Sequence, residues 1–215
     1  MNRLPRSFYA RPTPVVARAL LGRRLVRVLD SNHSAPPGAH LPTPVRQRLS
    51  GRIVEVEAYA GADDAASHAY RGRTPRNAPM FGPSGHTYVY FIYGMHWMFN
   101  IVAHQDGPDT PPGAVLVRAL APDEGRPIMR EHRGDRPDNI LTNGPARLAQ
   151  ALAIDGSLTA VDLCTHPRIF VEAGAPPPDG AIACGPRVGV VGDQRARVRP
   201  WRFWIRDNSY VSSKT

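Results

Sequence analysis

The sequence predicts a chain that mixes strands with short helices, the α+β class, and three observations carry that reading. Gly51–Ala60 and Thr87–Ile92 alternate with a period of two, the spacing of strands. Tyr93-Gly94 separates Thr87–Ile92 from a second apolar run, Met95–Val102, which makes a β-hairpin closed by a tight turn. Asn143–Ile154 carries Leu148, Ala151 and Leu152 on a common side behind Pro145, which marks a helix.

In chain order, residues 1–12 read as an arm with Arg3, Arg6 and Arg11 and no periodic pattern, 1–10 forming a basic N-terminal arm. Thr13 is expected to cap a short helix with Val15, Val16, Ala19, Leu20 and Leu21 on its apolar side and Gly22 as its stop. Arg23–Leu29 reads as a strand. Ser31–Ser50, rich in Pro, Gly, Ser and His, reads as a surface loop insertion.

The strand at Gly51–Ala60 puts Val54, Val56 and Ala58 on one face and Glu55, Glu57 and Tyr59 on the other. Two carboxylates spaced i, i+2 beside a tyrosine are either a solvated outer face or an acid or base lining a cleft. Spacing alone favours the solvated face.

Gly61–Ser84 is a long irregular segment carrying Asp63, Asp64, His68, Arg71, Arg73, Arg76 and Asn77, and loops of that length in a compact domain tend to carry function. In the hairpin that follows, Tyr88 and Tyr90 share one face and Val89 and Phe91 the other. Gly94 supplies the positive φ of the turn. The aromatic tip reads either as a wedge for stacked bases or as a contact to its own domain.

Gln105–Gly113 is a Pro/Gly/Asp turn, and Ala114–Leu120 a strand interrupted by Arg118, at an edge or facing a polar cleft. Pro127–His132 is a weak helix. The start of the helix at Asn143–Ile154 either receives a phosphate, with Arg147 nearby, or simply packs on the sheet. Ile169–Glu172, Arg187–Val191 and Trp201–Ile205 read as further strands, Ala173–Gly180 as a Pro-rich turn, and 213–215 as a tail.

The 215 residues suit one domain. A net charge of +9 and a pI near 10.3 point to an anionic partner, with nucleic acid first. The basic residues are arginines apart from a single lysine, Lys214. Cys164 and Cys184 have neither metal-like nor disulfide-scaffold spacing, and the histidines His68, His86, His96 and His104 lack a ligand-type pairing, so no metal site is expected. No phosphate-cradling Gly-rich loop is visible. The N-terminus has no signal-peptide core and no run approaches a membrane span, so the expected setting is intracellular and cytoplasmic, with no membrane partner.

Taken together, Arg52-Ile-Val-Glu-Val-Glu-Ala-Tyr59, Thr74-Pro-Arg-Asn77, Met80-Phe81, Tyr88-Val-Tyr-Phe-Ile-Tyr-Gly-Met95, Asn100, Leu116-Val-Arg-Ala-Leu120, Asn143-Gly-Pro-Ala-Arg-Leu148, Arg187-Val-Gly-Val190 and Arg202-Phe203 resemble the alkyladenine (3-methyladenine) DNA glycosylases. The resemblance runs from about Leu4 to about Ser212. Ser31–Ser50 and Gln105–Gly113 are longer than the family pattern, which bears on loop contacts to DNA and not on the chemistry.

The resemblance implies a single domain built on a curved, largely antiparallel sheet with surrounding helices and a protruding hairpin. It implies a monofunctional enzyme of base-excision repair that flips alkylated or deaminated purines out of double-stranded DNA and hydrolyses the N-glycosidic bond. The class covers 3-methyladenine, 7-methylguanine, hypoxanthine and ethenoadenine. By the same resemblance Glu57 is the general base for the attacking water, and Arg118 and the backbone carbonyl of Val188 help to hold that water. Tyr59, His68 and Tyr90 sandwich the base. Asn100 excludes the 2-amino group of normal guanine, and Tyr93 is the wedge that fills the vacated stack. Met95 and His96 beside the wedge, Arg76 and Arg147 complete the expected DNA contacts. No cofactor is implied, and the expected state is a monomer. With no internal lysine to form a Schiff base, a water nucleophile, an abasic-site product and no lyase step are expected. The competing readings are a non-catalytic module for distorted DNA or RNA, which a basic aromatic hairpin alone would fit, and a hydrolase of RNA or nucleosides.

Overall fold

A 15-residue strand, β2 (Arg46–Ala60), is the spine of the structure. The computed structural model describes residues 2–30, 46–107, 110–178 and 180–212. Along one edge of β2 lies β5 (Gly113–Pro122), which leads on to the hairpin strands β4 (His96–Val102) and β3 (Thr87–Ile92). The other edge is shared. β1 (Arg24–Asp30) pairs with residues 46–52, and β8 (Arg202–Ile205) pairs with residues 55–57. β6 (Ile169–Glu172) flanks β1 and β7 (Ile182–Gly185) flanks β8, so the described residues form one eight-stranded sheet. All the pairings are antiparallel.

Helices cover this sheet: α1 (Arg6–Tyr9), α2 (Thr13–Leu20), α3 (Arg126–Arg133), α4 (Pro145–Ala151) and α5 (Gln194–Val198). The main core joins Val16 and Leu20 of α2 and Leu148 and Ala151 of α4 to Val54, Val56 and Ala58 of β2 and Val115, Val117 and Ala119 of β5. A smaller cluster of Ala69, Met80, Tyr88, Val102 and Ala114 lies against Phe81 and Tyr90. The curled antiparallel sheet with helices agrees with the expected α+β class.

The β2–β5 register shifts twice, and both shifts matter for the site. Ile53 faces Leu120 and Glu55 faces Ala119, so Val54 is an extra residue on β2. Val56 then faces Val117, so Arg118 is an extra residue on β5. Bulges re-aim side chains, and this pair sits beside Glu55 and Glu57.

Several elements depart from expectation. Arg46–Ser50 belongs to β2 rather than to a loop. Its polar residues are held by strand pairing with β1, by burial of Leu49 and by Arg48, which binds Glu124 and Glu172 at 2.6 Å each. The rest of that expected loop, 31–45, lies outside the described residues, as do Pro108 and Asp109 of the 105–113 turn, Asp179 and the tail 213–215. Thr13 does not cap α2. It is the first helical residue, and its hydroxyl donates to the Ala103 carbonyl at 2.7 Å. The helix buries Val16, Ala17 and Leu20, whereas Val15 is exposed.

The helix expected over Asn143–Ile154 is shorter. Gly144 is extended at φ 166° and Ala153 turns to φ 47°, leaving Pro145–Ala151. Arg187–Val191 is not a strand: Val188-Gly189 is a turn with Gly189 at φ 67°, and the strand lies earlier, at Ile182–Gly185. The alternating valines suggested extension, but the chain bends where Arg187 is tied into the interior.

Residues 2–9 lie against the body. Arg3 bridges to Glu172 and its guanidinium stands 4.0 Å from the Phe170 ring centroid, while Arg6 pairs with Asp162 at 2.7 Å.

Candidate active site

Glu55 and Glu57 point to the same side of β2, and both are fully buried. The solvated-face reading is therefore wrong. Its physical reason is long-range: arginines from other strands meet both carboxylates.

Glu55 is saturated. Its oxygens accept from Arg118 Nε (2.9 Å), Arg202 Nε (2.7 Å), the Ser212 amide (2.7 Å) and the Ser212 hydroxyl (2.8 Å). It ties β2, β5 and β8 to the C-terminal segment.

Glu57 is held differently. Its Oε1 accepts from the Val188 amide at 2.7 Å, and its Oε2 accepts from the Tyr59 hydroxyl at 2.7 Å and more loosely from Arg118 Nη1 at 3.3 Å. All three groups are hydrogen-bond donors. Burial, then the Glu57 charge and hydrogen bond, push the Tyr59 phenol well above its usual value, so it remains a donor. Burial works against the Arg118 cation, but Glu57 and Glu55 outweigh it and its pKa rises.

The contact seen for Val188 is through its amide rather than the carbonyl singled out above. Gly189 supplies the left-handed conformation that carries the chain from this contact to the pocket wall at Val190 and Val191.

Beside this carboxylate lies a cavity of about 340 Å³. Tyr59, His68, Tyr90 and Asn100 all line it, joined by Tyr88, Met80, Val190 and Val191, with Tyr93 at the rim. Its size suits one small ligand, and its wall carries Tyr59, Tyr88, Tyr90 and His68 among smaller and aliphatic residues. The His68 and Tyr90 rings meet edge-on at 4.7 Å, Tyr88 and Tyr90 lie 5.2 Å apart, and the Tyr88 hydroxyl is 2.8 Å from His68 Nδ1. Partial burial first, then Arg76, lower the His68 pKa from its usual 6.5, which favours neutral imidazole. Burial pushes the Tyr90 phenol up to about 12.

Asn100 is buried on β4, opposite Tyr88 of β3 and Leu116 of β5. Its amide nitrogen donates to the carbonyls of Tyr88 (3.0 Å) and Met98 (3.4 Å), which leaves its carbonyl oxygen as the polar atom available to the cavity.

The hairpin tip is a loop of Tyr93, Gly94 and Met95 between the paired residues Ile92 and His96, so β4 begins one residue later than expected. Tyr93 and Gly94 both have positive φ, 56° and 67°. For a tyrosine that conformation costs about 1–2 kcal/mol. Tyr93 is 79% exposed and Met95 67%, so the tip does not dock on its own domain.

Arg76 reaches the hairpin, donating to the Phe91 carbonyl at 3.3 Å with its guanidinium 5.3 Å from the Tyr90 centroid. Arg147 binds Asn143 at 2.7 Å and lines a separate recess of about 280 Å³, which Arg118 and Ser212 also line. His96 is half-buried opposite Ile92. Arg71, Arg73, Arg195 and Arg197 are exposed on the segments that form the two cavity walls at His68 and Val191.

The structure thus brings together Glu57, Arg118, Tyr59 and Val188 as one group and Tyr59, His68, Tyr90 and Asn100 as an adjoining one. Met95 and His96 stand apart from both, and Arg147 adjoins the first group through the recess it shares with Arg118. Sequence reasoning gave no role to Tyr88, although its alternation with Tyr90 put it on the cavity face. It also missed the Asp64–Arg187 pair, whose members are 123 residues apart. Among the described residues no three His, Cys, Asp or Glu side chains converge to hold a metal ion, and no helix is long and apolar enough to cross a membrane.

Residues 38–209 match a protein family described as methylpurine-DNA glycosylase. A Myxococcus xanthus protein named "Putative 3-methyladenine DNA glycosylase" is 45% identical over 212 residues, spanning 99% of this chain and 94% of its own. Proteins of the same name from Burkholderia lata (46% identical; 97% of this chain, 90% of that one) and Carboxydothermus hydrogenoformans (42% identical; 98% and 99%) align at similar length. A match along most of the sequence, in a chain whose buried glutamate adjoins an aromatic cavity, leads to one conclusion: the chain belongs to the methylpurine-DNA glycosylase family.

Proposed function

We propose that the chain is a monofunctional 3-methyladenine DNA glycosylase that hydrolyses the N-glycosidic bond of alkylated or deaminated purines flipped from duplex DNA, leaving an abasic site. The observation that carries this is the buried Glu57 carboxylate, held by donors alone and one hydrogen bond behind the cavity wall at Tyr59.

Hydrolysis needs a water in line with C1′ on the face opposite the leaving base. In the free chain the Glu57 oxygens are capped. The longest of the three contacts, Arg118 Nη1 at 3.3 Å, is the one an incoming water displaces most easily. The water then sits between Glu57, which takes its proton, and Arg118, which orients it. The fixed anion also faces the positive charge that develops on the sugar as the bond breaks.

Tyr59, His68 and Tyr90 form the base slot. A purine alkylated at N3 or N7 is cationic, and aromatic faces attract it by cation–π and stacking effects. A neutral His68 adds no repulsion. Asn100, locked by its amide nitrogen, acts by shape against a 2-amino group. Tyr93 fills the stack that the flipped nucleotide leaves, offsetting a cost of a few kcal/mol. The exposed arginines on both cavity walls neutralise phosphates. The partner is double-stranded DNA with a damaged purine, bound by a monomer. The sequence has no internal lysine for a Schiff base, which supports a water nucleophile and no lyase step.

The test is base release from duplexes each holding one 3-methyladenine, 7-methylguanine, hypoxanthine or ethenoadenine, with borohydride present in a parallel set. Release of at least one base, with alkali-sensitive abasic product and no trapped adduct, is expected. Binding without release from any of them would favour a damage-sensing module, and release from free nucleosides but not from duplexes would favour a nucleoside hydrolase.

A further inference from the structure

The ion pair Asp64–Arg187 is fully buried on both sides. It is bidentate, with Arg187 Nη1 2.6 Å from Asp64 Oδ2 and Nη2 2.7 Å from Oδ1. Nothing in the proposed chemistry uses either charge directly. Placing two ions in an apolar interior carries a large desolvation cost, and a hydrophobic pair would often serve stability as well. The position of the pair suggests what else it does.

Each partner holds a different wall of the site. Arg187 Nη1 also donates to the Ala58 carbonyl on β2 at 2.9 Å, between Glu57 and Tyr59 in sequence. Its guanidinium lies 4.6 Å from the Tyr59 ring centroid and 5.4 Å from that of Trp201. Nη2 donates to the Ala196 carbonyl at 3.1 Å, fixing α5. Asp64 accepts from the amides of Ala60 and Ala66 at 3.3 Å each, which shapes the segment leading to the cavity residues Ala65, Ala66, Ser67 and His68. The next residue after Arg187 is Val188, whose amide meets Glu57 Oε1 at 2.7 Å.

We infer that Asp64 and Arg187 are positioning residues for the hydrolytic step: the pair fixes the Val188 amide against Glu57 and the Tyr59 ring beside it. Neither touches the substrate. A strand edge, the loop that carries His68 and the turn that carries Val188 converge on one rigid bidentate fork, and lysine, a point charge on a flexible stem, does not reproduce that geometry. Displacing a reacting group by about 1 Å costs on the order of a hundredfold in rate, so a loosened fork lowers the rate of base release before it lowers binding.

The inference rests on Glu57 being the base, and the experiment separates the two. Single-turnover release from a duplex holding a base that wild type releases is measured against enzyme concentration for wild type, Asp64→Asn, Arg187→Lys and Glu57→Gln. Affinity for a duplex holding an abasic site and the melting temperature are measured alongside. For Asp64→Asn and Arg187→Lys the maximum rate should fall by about 30- to 100-fold. The half-saturating enzyme concentration and the abasic-duplex affinity should stay within about threefold of wild type. Where a single variant melts below the assay temperature, the neutral double variant Asp64→Asn/Arg187→Gln, which leaves no buried charge unpaired, is measured instead with the same expectation.

A maximum rate within about threefold of wild type in a folded variant overturns the inference, and so does a rate that falls only in step with lost DNA affinity. If Glu57→Gln releases base at the wild-type rate, the base assignment itself fails, whatever Asp64 does. If Glu57→Gln is inactive and Asp64→Asn is not, only the positioning role fails.

Discussion

The Val188 amide donates to Glu57 Oε1 at 2.7 Å, joining two residues 131 positions apart. Through this bond a turn near the C-terminus reaches the middle of the central strand and meets its buried carboxylate. Glu57 and Glu55, two positions apart on one strand face, thereby acquire different work. Glu57 keeps one loose contact, to Arg118, whereas Glu55 accepts four closer bonds.

That division predicts a structural phenotype for Glu55. Glu55→Gln removes the charge facing two buried arginines and leaves Arg202 without its carboxylate. The expected loss is about 3–5 kcal/mol of folding stability. Urea unfolding measures it, with a lowered midpoint at unchanged slope as the signature. A midpoint equal to wild type would show that the four-bond cluster does not stabilise the fold.

Tyr93 predicts opposite profiles for binding and stability. Tyr93→Gly removes a ring that is 79% exposed, so no core packing is lost. Relief of the left-handed strain, about 1–2 kcal/mol, and the greater chain entropy of Gly, about 0.4–1 kcal/mol, oppose each other. The melting temperature should therefore hold or rise slightly. Affinity for a lesion duplex should fall by about 1–3 kcal/mol, the value of one lost aromatic stack. Fluorescence anisotropy with a labelled duplex reads this directly, and unchanged affinity would remove the wedge role.

His68 gives stability a pH dependence of defined sign. Its folded pKa lies below the 6.5 of the free side chain, through partial burial and then Arg76. Below pH 6.5 the unfolded chain therefore binds more protons at this position than the folded one, and stability falls as the pH falls. Above 6.5 the effect vanishes. His166, also lowered through partial burial and then Arg168, acts in the same direction. In His68→Gln the melting temperature should decline less steeply between about pH 6.5 and 5 than in wild type. An identical slope would mean that His68 is not held neutral.

Much of this fold was legible in the sequence because its signals are local. The hairpin announced itself through period-two alternation and a Gly at the turn, and the structure has its strands at Thr87–Ile92 and His96–Val102. Where a local signal met a long-range tie, the tie prevailed. Val188 and Val190 alternate like a strand, but Arg187 is fastened to Asp64 and the chain turns at Gly189. Arg46–Ser50 looked too polar for a strand, yet Arg48 finds Glu124 and Glu172 across its neighbours.

The site followed the same rule. Tyr59, Tyr90 and Asn100 sit on strands whose faces the alternation orders, and they do line one cavity. Spacing alone made Glu55 and Glu57 a wet face. The arginines that bury them come from positions 118 and 202, on other strands, and a period-two pattern holds no information about which strands become neighbours.

The role of Glu57 is tested most directly by Glu57→Gln, which keeps the shape of the side chain and removes its ability to take a proton. Base release and duplex binding should be measured together on one duplex whose damaged base the wild type releases. The variant should bind the duplex within about threefold of wild type while its release rate falls by at least about a hundredfold, the lower end of the usual range for a lost general base. A variant that releases that base at the wild-type rate would contradict the general-base role.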